Sequence, residues 1–403
     1  MASLTAHDAE PTNDHPPYWM SVNLDTTKKA ALLNMLTKAR PRSSQAFTNT
    51  EQDLCGRRAP SRLSSTYTAE SYSVGDPFLR PDLMSEADYT ITNQKQCGSC
   101  YALASTYALQ KRLELAMSRR LKDGTFASKA SRDGGLPSYR LSSNLVLSCS
   151  FLNQGCLGGY PPMVHEWWTV FGAGIEDCEG TYKDNPLPCP LATTQQSLDG
   201  GLVQDGRLPP LKFVKNPAEP ATTKNTALRG EHSAYFQSQL PASVCPESHR
   251  VFVEQHGYVG GCYGCATEEA MRREIVEHGP IVAAIDAPAS LITYHNGIFD
   301  DPPTNHHRAC SSSERDEGLH GWEFTNHAIV LVGFGVENIV HGERSIEVPY
   351  WIARNTWGAD WGQHGYFKIR RKVNLGGIEN QSSFADVDIT RGLPRRIMEE
   401  RAT

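Results

Sequence analysis

Gln94-Lys95-Gln96-Cys97-Gly98-Ser99-Cys100-Tyr101-Ala102-Leu103-Ala104-Ser105 opens a helix-compatible run that continues to about Met117, with Leu103, Tyr107, Leu109 and Leu113 as its apolar residues. A thiol in the first turn of such a helix sits against unpaired backbone N–H groups and the positive end of the helix dipole, and both favour the thiolate. Cys100 is therefore a candidate nucleophile. Two other readings of the same stretch stay open: a redox C-x-x-C pair made by Cys97 and Cys100, or two structural cysteines.

A nucleophilic thiolate needs a proton partner. Asn326-His327-Ala328-Ile329-Val330-Leu331-Val332-Gly333-Phe334-Gly335 places a histidine at the mouth of an apolar run that reads as a buried strand. One histidine among 14 carries little weight alone. The block from Tyr350 to Phe367, which contains Asn355-Thr356-Trp357-Gly358, adds to it: an Asn at a strand end can accept from an imidazole N–H and hold the ring, and a neighbouring Trp shields that bond from water. The glycines permit the tight turns that bring the chain back into a second strand.

The rest of the chain sets bounds on these readings. With 45 acidic against 39 basic side chains and a formal charge of −6, it lacks the basic excess of a nucleic-acid binder. No run of about 18 unbroken apolar residues predicts a membrane span. The start, Met-Ala-Ser-Leu-Thr-Ala-His-Asp, shows no secretory signal. Yet 11 cysteines, most of them between Cys97 and Cys265, predict an oxidising compartment: the secretory pathway, a lysosome-like or vacuolar compartment, or secretion. Residues 1–84 read as a leader or pro-segment remnant, largely irregular, with a short helix candidate from Thr27 to Lys38. A folded core spans 85–388 and carries a surface insertion at 190–244 that is poor in apolar periodicity. Residues 389–403 read as a charged, solvated tail. His306-His307 and Cys262-x-x-Cys265 lack further ligands at metal spacing, so no metal is expected.

Taken together, Q-x5-C (Gln94 to Cys100), N-H-A (Asn326 to Ala328) and N-T-W-G-x-x-W-G-x-x-G-Y-F from Asn355 resemble the papain-like cysteine proteases over residues 90–385 apart from the insertion. The resemblance implies an α+β fold, with Cys100 at the start of the long helix of a helical left lobe. His327 and Asn355 would lie in a β-barrel-like right lobe, across a cleft. It implies that Cys100 is the nucleophile, His327 its base and Asn355 the orienter. The Gln94 side chain and the Cys100 backbone N–H would form the oxyanion hole. Tyr101 stands where the family usually has Trp.

Cys97 to Tyr101, Leu141 to Ser150, Gln154 to Gly159 and Tyr258 to Gly264 are similar to the cathepsin C (dipeptidyl peptidase I) branch. That implies removal of dipeptides from free N-termini of peptide or protein substrates through a thioester. By the same resemblance Gly158 and Gly159 pair with the substrate backbone, Tyr160, Ala328 and Trp357 also bind substrate, and Gln381 floors the second specificity pocket. A glycan at Asn380, in the Asn380-Gln381-Ser382 sequon, would crowd that cleft, so Asn380 is expected to be unmodified. The implied bridges are Cys97–Cys156, Cys149–Cys189 and Cys178–Cys245, leaving Cys55, Cys262, Cys265 and Cys310 unassigned. Tyr258 matches one of two tyrosines that hold a chloride ion in that branch, but Pro162 takes the other place, which argues against chloride dependence; no other cofactor is implied. The branch has an N-terminal exclusion domain, whereas the stretch before Gln94 shows one cysteine, Cys55, and no alternating pattern long enough for a barrel of that kind. The alternative is therefore a papain-like endopeptidase with an open cleft. From other classes come a redox protein and a non-catalytic binding protein.

Overall fold

The computed structural model describes residues 70–121, 139–185, 189–190, 244–261, 266–301, 325–341 and 344–402. The helix candidate at Thr27 to Lys38, nearly all of the 190–244 insertion, His306-His307 and Cys55, Cys262, Cys265 and Cys310 lie outside them.

Strand β1 (Tyr72–Ser73) leads to helix α1 (Glu86–Tyr89), which begins with a capping box: Ser85 and Asp88 exchange side-chain-to-backbone hydrogen bonds. Helix α2 (Cys100–Leu121) follows and runs four residues beyond Met117. It contains no glycine or proline, and Ala102, Ala104 and Ala108 let it approach its neighbours closely, while Leu109, Leu113 and Met117 fill the space behind. Helices α3 (Asn144–Cys149) and α4 (Pro161–Val170) come next, the latter with proline in its first turn, where the missing N–H costs nothing. Strand β2 (Ala173–Gly174), helix α5 (Glu176–Glu179) and strand β3 (Arg250–Val251), paired with β2, complete this helical half.

The second half contains β4 (Val253–Tyr258), α6 (Glu268–His278), β5 (Ile281–Ile285), α7 (Ala289–Ile292), β6 (Ile298–Phe299), β7 (His327–His341), β8 (Arg344–Arg354), β9 (Tyr366–Arg370) and β10 (Ser382–Val387). They form one sheet in the order β4-β10-β5-β7-β8-β9-β6, with β1 paired to β7 as well. Only β6 and β9 run parallel. Ala328 to Val332 are each under 5 % exposed, as their unbroken apolar run requires. Ala104, Tyr107 and Ala108 of α2 share one core with Ile329, Leu331 and Phe384 of the sheet. This is the α+β architecture expected.

Two buried polar clusters also join the halves. Arg112 of α2, 3 % exposed, places its guanidinium on Asp386 at 2.6 Å and Glu274 at 2.9 Å, and donates to the carbonyls of Pro280 and Gly279. Asp88, fully buried, receives Lys111 Nζ and the Tyr107 hydroxyl, each at 2.5 Å, while the Tyr366 hydroxyl of β9 donates to its carbonyl.

Two boundaries differ from expectation. The sequence pattern puts the end of the leader at residue 84, but Tyr72 and Ser73 pair with Phe334 and Gly333 of β7, so the folded unit takes in residues 70–84. The tail is not a solvated segment: residues 392–402 form helix α8 (Gly392–Ala402), with Leu393 and Ile397 fully buried and the Arg391 guanidinium 3.4 Å above the Phe252 ring. Two apolar residues four apart give a short helix one buried edge, and that outweighs its charged composition. The bridges Cys97–Cys156, Cys149–Cys189 and Cys178–Cys245 are formed, and Cys100 is the free cysteine among the described residues. With Cys97 bridged, a redox Cys97/Cys100 pair is excluded.

Candidate active site

Cys100 is the first residue of α2 and His327 the first of β7, so packing of that helix on that strand brings the two termini together. The Ala328 backbone N–H points at Cys100 Sγ, as do those of Tyr101 and Cys100 itself. Burial pushes the Cys100 thiol above its ordinary value, and these three donors pull the other way. Burial likewise pushes His327 down to about 4, opposed by its hydrogen bond to Asn355. Each group alone is thus driven towards its neutral form.

The orientation of the imidazole follows from a neighbour that the sequence reading did not single out. Asn355 Oδ1 accepts from the Thr356 backbone N–H at 2.8 Å, and a backbone N–H can only donate, which identifies that amide atom as the oxygen. The same oxygen lies 2.7 Å from His327 Nε2, so Nε2 carries the proton. Nδ1 is left as the basic nitrogen. The Trp357 ring stacks on the imidazole with centroids 4.8 Å apart, and Trp361 meets Trp357 edge-on at 5.1 Å. Asn355 is fully buried, so the bond it makes is kept from water.

Gln94 is fixed from both sides. Its N–H donates to the Thr356 carbonyl at 2.8 Å and its side-chain oxygen accepts from the Thr356 hydroxyl at 2.5 Å. One side-chain N–H goes to the Cys97 carbonyl at 3.0 Å, which leaves the other available to a ligand. The turn between Gln94 and Cys100 has to pass close to the Cys156 segment: Gly98 donates to the Cys156 carbonyl at 2.8 Å, and a Cβ on Gly98 would lie 2.7 Å from that oxygen. Glycine is required there.

The glycine pair lies on the same side. Gly158 has φ +117, and a Cβ on Gly159 would lie 2.7 Å from the Tyr101 ring. Tyr101, 1 % exposed, donates its hydroxyl to the Gly155 carbonyl at 3.0 Å. The tyrosine at this position therefore braces the glycine loop through a polar tip. Tyr160 donates its backbone N–H to Asn153 Oδ1, and burial pushes its phenol up to about 12. Tyr258 is pushed up too, by burial and then by the nearby Tyr160 phenol. Across the β4–β10 pair Tyr258 faces Ser383, two residues from Gln381. Tyr160 and Tyr258 thus lie close to each other, with Gln381 two residues from the strand partner of Tyr258, while the Ala328 N–H faces Cys100 and Trp357 stacks on His327. Pro162 is instead in the first turn of α4. Among the described residues no cluster of three or more His, Cys, Asp or Glu forms a metal site.

A family model for the papain family cysteine proteases matches residues 84–386. The chain is 32 % identical over 341 residues to dipeptidyl aminopeptidase 1 of Plasmodium falciparum, an alignment covering 82 % of this chain and 46 % of that protein. It is 27 % identical over 331 residues to cathepsin C of Schistosoma mansoni, covering 82 % and 55 %. The chain therefore spans about half the length of these relatives. Among solved structures, procathepsin L 3 of Tenebrio molitor larval midgut aligns with a TM-score of 0.46 at 21 % identity, covering 80 % of this chain and 72 % of that one. On the match over residues 84–386, the chain belongs to the papain family of cysteine proteases and is a cysteine peptidase.

Proposed function

We propose that Cys100, His327, Asn355 and Gln94 carry out the hydrolysis, and that its product is an N-terminal dipeptide. The observation supporting the first part is the His327 Nε2–Asn355 Oδ1 bond with its oxygen pinned by Thr356, because it leaves Nδ1 for the thiol. In the first step Cys100 Sγ attacks the scissile carbonyl carbon while its proton resides on His327 Nδ1. The negative oxygen that forms is met by the Cys100 backbone N–H and the second Gln94 side-chain N–H. The imidazolium returns its proton to the leaving amine, the C–N bond breaks and a thioester remains. Water, deprotonated by the same nitrogen, hydrolyses the thioester and restores the thiol.

The reactive pair holds one proton, so turnover should follow a bell-shaped pH curve. Its acid side is the uptake of a second proton by His327, held down to about 4, and its alkaline side is loss of the last proton from a thiol that burial holds up. The expected plateau extends down to about pH 4. A rate that rises only above about pH 8, where an unassisted thiol ionises, contradicts the shared-proton pair.

The dipeptidyl reading rests on the names of the two relatives, on the closeness of Tyr160 and Tyr258, and on Gln381 two residues from the strand partner of Tyr258. A buried glutamine there favours a polar second side chain. The test is one dipeptidyl amide with its amine free and then acylated. At least tenfold preference for the free amine, about one buried charge-assisted hydrogen bond in energy, is expected of a dipeptidyl peptidase. Equal rates would establish the open-cleft endopeptidase instead.

A further inference from the structure

Tyr182 belongs to none of the motifs above. It lies in the stretch between α5 and the Cys149–Cys189 bridge, and its hydroxyl is 2.7 Å from Ser99 Oγ and 3.1 Å from the Gln94 carbonyl. A phenol has one proton and a carbonyl only accepts, so the proton lies on Gln94 O and the Ser99 hydroxyl donates to the phenol oxygen. Burial raises the Tyr182 pKa, which keeps that donor protonated.

Both partners are significant. Ser99 is fully buried and immediately precedes Cys100, and its carbonyl receives the Ala102 and Leu103 N–H groups, so it anchors the first turn of α2. The Cys100 N–H belongs to the peptide that Ser99 begins. The other partner is the backbone of Gln94, and Gln94 O also takes the Cys97 N–H at 3.2 Å to close the intervening turn. One hydroxyl thus joins the residue behind one oxyanion donor to the residue that carries the other. The Lys95–Asp184 ion pair at 3.1 Å ties the same two segments, but both side chains are exposed, and such pairs hold little.

We propose that Tyr182 is a positioning residue for peptide hydrolysis: it fixes the separation between the Gln94 side-chain amide and the Cys100 backbone N–H. The proposal rests on the assignment of those two donors above. An oxyanion hole works when its donors lie about 2.7–3.1 Å from where the charged oxygen will be. Release of the turn moves the donors relative to each other, which weakens contact with the tetrahedral intermediate more than with the bound peptide, so the loss falls on kcat rather than KM. Tyr182 makes its hydrogen bonds to Ser99 and Gln94 and none to Cys100 Sγ or His327, although its phenol lies within electrostatic reach of the thiol, and alkylation by iodoacetamide displaces iodide at carbon without forming an oxyanion. The Cys100 N–H stays with Sγ on one residue when the turn is released, so the alkylation rate should change far less than kcat.

Full-length Tyr182→Phe should lower kcat about tenfold, the size of effect of one neutral hydrogen bond. KM and the rate of Cys100 alkylation at pH 6 should stay within about twofold of wild type. Ser99→Ala, which removes the other end of the bond and keeps the phenol, should lower kcat in the same sense with alkylation again unchanged. In a Gln94→Ala background Tyr182→Phe should cost less than about a further twofold, because the donor it positions is gone. Wild-type kcat in Tyr182→Phe, an equal slowing of alkylation, or fully multiplicative losses in the double variant each overturn the proposal. Wild-type kcat in Gln94→Ala alone refutes the oxyanion assignment itself, and that result is independent of Tyr182.

Discussion

Cys100→Ala is expected to lower turnover of a peptide amide by about 10⁴-fold or more, with circular dichroism and melting midpoint close to wild type. In the proposed mechanism the sulfur supplies the electron pair for the thioester, and no other described cysteine is free to replace it. The fold has little to lose: the residue is half-buried at the first position of α2, and alanine suits a helix at least as well. Substantial turnover by the purified, folded variant would refute the thioester mechanism.

His327→Ala is expected to cost about 10³-fold or more in kcat and to slow alkylation of Cys100 at pH 6, because the thiol then has no neighbour to hold its proton. The hydrogen bond that His327 makes can be removed without orphaning Asn355 Oδ1, which keeps the Thr356 N–H. Stability should change in a defined direction as well. A folded-state pKa of about 4 for His327, against an unfolded value near 6.5, means that the unfolded chain binds the proton first. Wild-type stability therefore falls as pH drops from about 6.5 towards 4, and His327→Ala should lack that increment of acid sensitivity. A loss of only a few-fold in kcat would show that another group serves as the base.

The residues of the pair were legible because their chemistry is written into short, fixed offsets. A thiol at a helix start, a histidine at the mouth of an apolar run and an asparagine before Thr-Trp-Gly each declare a local geometry, and the strand β7 and helix α2 follow from apolar content alone. What joins them was not legible. Tyr182 reaches Ser99 across 83 residues and Gln94 across 88, and nothing adjacent to a tyrosine in Thr181-Tyr182-Lys183 announces a partner so distant. Thr356 was visible within the motif, but only its N–H position on Asn355 Oδ1 shows that it selects the tautomer. The tail was misread because charge dominates its composition. Leu393 and Ile397, four residues apart, were the available sign of a docked face. The 70–84 boundary was missed because two residues of β1 carry no periodicity to detect.

Arg112 has a mechanical consequence. Its one guanidinium, held on α2, is engaged at once by β10, by α6 and by the turn before β5. Drawing the helical half away from the sheet would break these contacts of a buried cation, at a cost of several kcal/mol. Buried charge as well as apolar packing therefore resists separation of α2, which begins at Cys100, from the sheet, in which β7 begins at His327. The spacing of those two ends is thus set far from them, by a cation twelve residues along the helix.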